Sequence, residues 1–77
     1  MFYPGTFIIE QVISHSPAIP SKASEIEFII KWEGYDSSYN TRESWKNNHS
    51  LRTNEVVLKY MLSNASLKRF VPTNIVF

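Results

Sequence analysis

The clearest hydrophobic run in the chain is EFIIKW at 27–32, where Phe28, Ile29 and Ile30 give way to Lys31 and Trp32. Aromatic and β-branched residues in such a run predict a strand, and Gly34 just beyond it supplies the point where the strand can end. After the polar loop Asp36-Ser37-Ser38 and Tyr39, a short segment at 41–45 is placed to return antiparallel to it. Upstream, TFIIEQVIS at 6–14 predicts another strand. Phe7, Ile9 and Ile13 share one parity and Ile8 and Val12 the other, so both faces are partly apolar. That pattern fits a curved strand with core on one side and a second covering on the other. Between the two strands, HSPAIPSKAS at 15–24 has two prolines and no periodicity, which reads as a stiff, exposed loop with His15 at the surface.

The second half changes period. Residues 47–52 are polar and irregular, and then Val56, Val57, Tyr60 and Met61 recur at helical spacing within 54–63. Thr53 is placed as the N-cap, with Glu55 in the first turn, where the helix dipole favours an acid. Leu67, Phe70 and Val71 extend the apolar content until Pro72 ends it. The predicted architecture is α+β: a small three-stranded antiparallel curved sheet packed by one C-terminal helix. It spans residues 6–72, with a leader at 1–5 and a short apolar tail at 73–77 of no assigned role.

Composition narrows the function. Seventy-seven residues make one small domain, and 43% hydrophobic content argues against disorder. Cysteine is absent and the two histidines are isolated, so neither a disulfide nor a metal cluster is expected, and no cofactor. No apolar run reaches the ~20 residues of a membrane span, and no signal-peptide pattern is visible. Charge is uneven: through Tyr39 five acids oppose two lysines, and from Asn40 onward six basic residues oppose two acids. With two glycines in the chain and no nucleophile, metal or phosphate-loop motif, the sequence points away from an enzyme and toward binding.

The candidate chemistry is aromatic. Trp32, Tyr35 and Tyr39 crowd one end of the predicted hairpin, and aromatic faces brought together attract a desolvated ammonium through their quadrupoles. The plainer reading of the same residues is a hydrophobic end of the sheet.

Three motifs here resemble a chromodomain. Phe7-Ile8-Ile9-Glu10-Gln11-Val12 is similar to that family's aromatic-x-V-E-x-I strand. Lys31-Trp32-Glu33-Gly34-Tyr35 looks like its K-W-x-G-Y, and Asn40-Thr41-Arg42-Glu43-Ser44 like its N-T-W-E-P turn. The resemblance covers roughly residues 6–65. The ending LKYMLSNASLKRFVP is similar to the chromodomains that close integrases of long-terminal-repeat retrotransposons.

The resemblance implies a nuclear, chromatin-targeting module that captures methylated lysine on a histone H3 tail in a cage of Phe7, Trp32 and Tyr35. It further implies that the peptide adds as a strand over Ile9, with Tyr39, Glu43 and Asn47 as peptide-contacting positions. The chain departs from the family in several places. Phe7 replaces a tyrosine, Tyr39 an acid that often completes the cage, and Arg42 the tryptophan of the turn, whose packing role Trp45 is expected to take. Acids before the first strand are missing, and the 15–24 loop is long. Two other functions are compatible with these departures: docking of a protein partner without reading methylation, and nucleic-acid contact through Arg42, Lys46, Arg52, Lys68 and Arg69.

Overall fold

The computed structural model describes residues 7–74; the expected leader at 1–5, Thr6 and residues 75–77 of the tail lie outside them. The α+β expectation holds: an open antiparallel sheet ordered β1-β2-β3, with β1 Ile9–Ser16, β2 Glu27–Trp32 and β3 Thr41–Ser44, and one helix, α1 Glu55–Leu62. Strand β2 alternates as a half-covered strand should. Phe28, Ile30 and Trp32 point into the core, while Glu27, Ile29 and Lys31 take the opposite face.

Strand β1 does not alternate, and its pairing explains why. Ile9 pairs with Trp32, Gln11 with Lys31, Val12 with Ile30 and Ser14 with Ile29, so Glu10 and Ile13 are each one residue extra. Two bulges stretch the inward spacing from two residues to three: Ile9 and Val12 are buried, His15 is half-buried, and Ile8 and Ile13 are exposed. Bulges also bend a strand, which supplies the expected curvature.

The strand runs later than the expected 6–14. Phe7 and Ile8 precede it, and His15 and Ser16 lie within it instead of in a loop. Nor is His15 a bare surface residue. Its Nε2 faces the Ala18 carbonyl at 3.2 Å, which can only accept, so that nitrogen carries the proton in the neutral ring. Nδ1 then accepts from the Tyr60 hydroxyl at 2.7 Å, tying β1 to α1.

The following loop is held down along its length. Pro20 is fully buried, Ser66 Oγ donates to the Ala18 carbonyl at 2.8 Å, and Arg69 donates to the carbonyls of Pro20 and Ser21 at 3.0 and 3.3 Å.

Strand β3 stops at Ser44. Trp45 follows it, donates its backbone N–H to Ile26 at 3.0 Å, and buries its ring 6.3 Å from that of Phe28. It thus takes a packing position, as expected of it. The polar stretch at 47–52 runs into a 3-10 turn, His49–Thr53, that buries Leu51 completely. That turn absorbs Thr53, and the helix is capped by Asn54 instead: its Oδ1 accepts from the backbone N–H of Val56 at 3.0 Å and of Val57 at 3.2 Å. From α1, Val57, Leu58 and Met61 close over the sheet and meet Ile26, Phe28, Ile30, Leu51 and Leu67 in one core. Each such side chain contributes roughly 1.5–3 kcal/mol on full burial. Among the described residues no helix is long and apolar enough to cross a membrane.

Candidate functional site

The end of β2 gathers the aromatics, and each arrives by a local cause. Trp32 is the last inward residue of β2 and pairs with Ile9, so the chain just before β1 runs past its ring. A hydrogen bond from the Glu33 N–H to the Ile8 carbonyl, 2.8 Å, fixes that approach. Phe7 consequently stands against Trp32, centroids 4.8 Å apart and planes tilted by 58°. Beyond Trp32, Gly34 has φ +84° and the Tyr35 N–H returns to the Trp32 carbonyl at 3.1 Å. This turn needs a positive φ at its third residue, and glycine supplies it without steric cost. It brings Tyr35 back toward the sheet.

The next turn, Ser37–Tyr39, is capped by Asp36, whose carboxylate accepts from the Ser38 N–H at 2.9 Å and from the Ser38 hydroxyl. Those two bonds, the hydroxyl first, hold the Asp36 carboxyl below its ordinary range. The capped turn sets the Tyr39 ring edge-on to Tyr35 at 5.8 Å.

The four rings line one cavity of about 290 Å³, together with Ser38, Asn40 and Thr41. The three expected cage residues are therefore brought together, and Tyr39, expected as a peptide-contacting position, lines the same cavity as a fourth ring. A hydrogen-bonded chain holds the central ring in place. Trp32 Nε1–H donates to Thr41 Oγ1 at 2.8 Å, Thr41 donates to Glu43 Oε2 at 2.6 Å, and Asn48 Nδ2 donates to Glu43 Oε1 at 3.0 Å. Thr41 and Glu43 can join because they sit two apart on β3, opposite Ile30 and Phe28 on the inward face. Asn40 also reaches the cavity wall, and its Oδ1 is buried with no hydrogen-bond partner among the described residues.

On the far side of the Phe7–Trp32 pair lies a second cavity of about 290 Å³. Phe7, Ile9 and Trp32 form its apolar wall, and Glu43, Asn48, Ser50 and Asn54 its polar one. Ile9 and Glu43, both expected as peptide-contacting positions, thus line the same cavity. Asn47 does not. It is exposed, with its backbone N–H on Ser44 Oγ at 3.3 Å, and its neighbour Asn48 lines the cavity instead. Sequence reasoning also missed Thr41, Ser50 and Asn54. Thr41 was recoverable from its two-residue spacing to Glu43; the other two depend on how the 3-10 turn folds back.

The outer face of the sheet carries other chemistry. Arg42 stands opposite Ile29, on the face away from the cavities, and pairs with Glu27 at 3.3 Å; Lys31 pairs there with Glu10 at 3.2 Å. Of the basic residues in the second half, Arg42, Arg52, Lys59 and Arg69 each bond to groups of the fold itself. No group of three or more His, Asp or Glu able to hold a metal occurs among the described residues. Compared with known proteins, the chain matches no family model, no curated protein and no solved structure.

Proposed function

We propose that this chain is a chromodomain-type binding module that reads methylated lysine on a histone H3 tail and directs the polypeptide carrying it, a retrotransposon-type integrase by its sequence resemblance, to chromatin in the nucleus. The observation that carries the reading is the convergence of Phe7, Trp32, Tyr35 and Tyr39 on one cavity. A methylated ammonium is held by cation–π attraction and by contact of its methyl groups with ring faces. The adjoining cavity suits the peptide main chain. Its apolar wall at Phe7 and Ile9 faces Glu43 and Asn48, and the start of β1 lies at the sheet edge, where an extended peptide can add through backbone hydrogen bonds.

Calorimetric titration with an H3-tail peptide carrying trimethyl-lysine tests this. Micromolar binding is expected, weakened by on the order of tenfold or more in Trp32→Ala, provided that variant keeps its helical circular dichroism. Equal affinity for the methylated and unmodified peptides would sink the proposal.

A further inference from the structure

The lining of the aromatic cavity carries a selectivity beyond methyl-lysine capture in general. Resting on the reading just given, we infer that Tyr39 makes this cage selective for a quaternary ammonium, trimethyl-lysine, over the dimethyl and monomethyl forms. Mono- and dimethylammonium keep an N–H, and moving that donor out of water is costly unless an acceptor replaces the water. The quaternary ammonium of trimethyl-lysine has no N–H to satisfy, so it enters a neutral aromatic box without losing a hydrogen bond, and the ring faces offset the hydration its charge gives up.

No described residue lining this cavity carries a carboxylate. The acids nearby in sequence are engaged elsewhere: Glu43 with Thr41 and Asn48, and Asp36 with the backbone and hydroxyl of Ser38. The neutral oxygens offer little in their place. Thr41 Oγ1 already accepts from Trp32 and donates to Glu43; the Ser38 hydroxyl gives its proton to Asp36 and keeps lone pairs, but it is a neutral oxygen on a solvent-exposed residue and so a weaker acceptor for an ammonium N–H than a carboxylate. Asn40 Oδ1 has no partner among the described residues, but it is buried below the reach of solvent and so below the reach of a larger cation. Tyr39 decides the matter because it stands at the rim, 55% exposed, with its ring against Tyr35. A ring there adds a π face, whereas an acid there would pair with the N–H of a lower methylation state.

The test measures four H3-tail peptides (trimethyl, dimethyl, monomethyl, unmodified) against the wild-type chain, Tyr39→Glu, Tyr39→Gln and Tyr39→Phe. Alongside them, tetramethylammonium and trimethylammonium chloride are titrated onto the labelled chain, with the Trp32 indole resonance as the readout. In the wild type the trimethyl peptide should bind at least tenfold tighter than the dimethyl, about 1.4 kcal/mol. Tyr39→Phe should keep that ratio, Tyr39→Gln should weaken all methylated forms at a similar ratio, and Tyr39→Glu should bring tri- and dimethyl affinities together or invert them.

A wild-type ratio near one, or a ratio unmoved in a folded Tyr39→Glu, would overturn the inference while leaving methyl-lysine reading intact. Tighter dimethyl binding that disappears in Asn40→Ala would overturn it in favour of the Asn40 oxygen as acceptor. If no peptide binds but tetramethylammonium shifts the indole and trimethylammonium does not, the cage selectivity stands and the histone target fails. If no peptide and neither small cation binds a folded chain, both fail.

Discussion

Replacing Thr41 by valine removes one hydroxyl and almost nothing else, and the fold states what that hydroxyl does. It accepts the Trp32 indole N–H at 2.8 Å and donates to the Glu43 carboxylate at 2.6 Å. Trp32 is only 8% exposed, so its N–H has little access to water once the acceptor is gone. A buried donor left unsatisfied costs about 1–3 kcal/mol, and the lower half of that range applies because the ring is not fully enclosed. Glu43 keeps Asn48 at 3.0 Å and is half-buried, so its share of the loss is smaller, about 0.5–1 kcal/mol.

Thr41→Val should therefore lower stability by about 2 kcal/mol, or roughly 8–16 °C in melting temperature for a chain of this size. Urea unfolding gives the free energy. Trp32→Phe completes a double-mutant cycle, because phenylalanine has no N–H to leave unsatisfied. In the Trp32→Phe background Thr41→Val should cost about 1 kcal/mol less than in the wild type. A neutral Thr41→Val, or a coupling near zero, would refute the account of how Trp32 is positioned.

Three further outcomes follow from local features. Gly34→Ala should destabilise by about 1 kcal/mol through its φ of +84° alone, since no atom lies within 4 Å of the added Cβ; a shift in the urea midpoint at constant slope shows it. Asn54→Ala should cost about 1 kcal/mol as the lost helix cap, while Thr53→Ala should stay within about 0.5 kcal/mol, and the same unfolding assay separates them. Burial raises the Tyr60 hydroxyl above its ordinary 10.0, against a smaller opposing effect from an Asn64 hydrogen bond. The unfolded chain then ionises first, so stability present below pH 10.0 falls as pH rises toward the folded value. Melting temperature against alkaline pH should show that fall, and Tyr60→Phe should flatten it.

The sequence was most legible where one physical rule acted alone. Strand β2 could be read directly because its composition and its closing glycine agree, and the approach of Tyr35 to Trp32 follows from that glycine. Strand β1 could not, since a bulge leaves no compositional mark: Phe7, Ile8, Ile9, Val12 and Ile13 present two apolar parities, and only pairing with β2 shows that Glu10 and Ile13 are the extra residues. At the helix start Thr53 and Asn54 are both good caps, and the choice fell to Asn54 because the preceding 3-10 turn, needed to bury Leu51, consumed Thr53. The doublet Asn47-Asn48 posed the same problem for the site, where the fold of that turn puts Asn48 rather than Asn47 on Glu43. His15 looked solitary because its partner, Tyr60, is 45 residues away in the chain.

The most direct test of the central claim is an NMR titration of the isotope-labelled chain with an H3-tail peptide carrying trimethyl-lysine, beside its unmodified twin. The account predicts that the Trp32 indole and the amides of Phe7, Tyr35 and Tyr39 shift with the methylated peptide and stay in place with the twin. Identical shifts from both peptides, or silence from a folded chain, would contradict it.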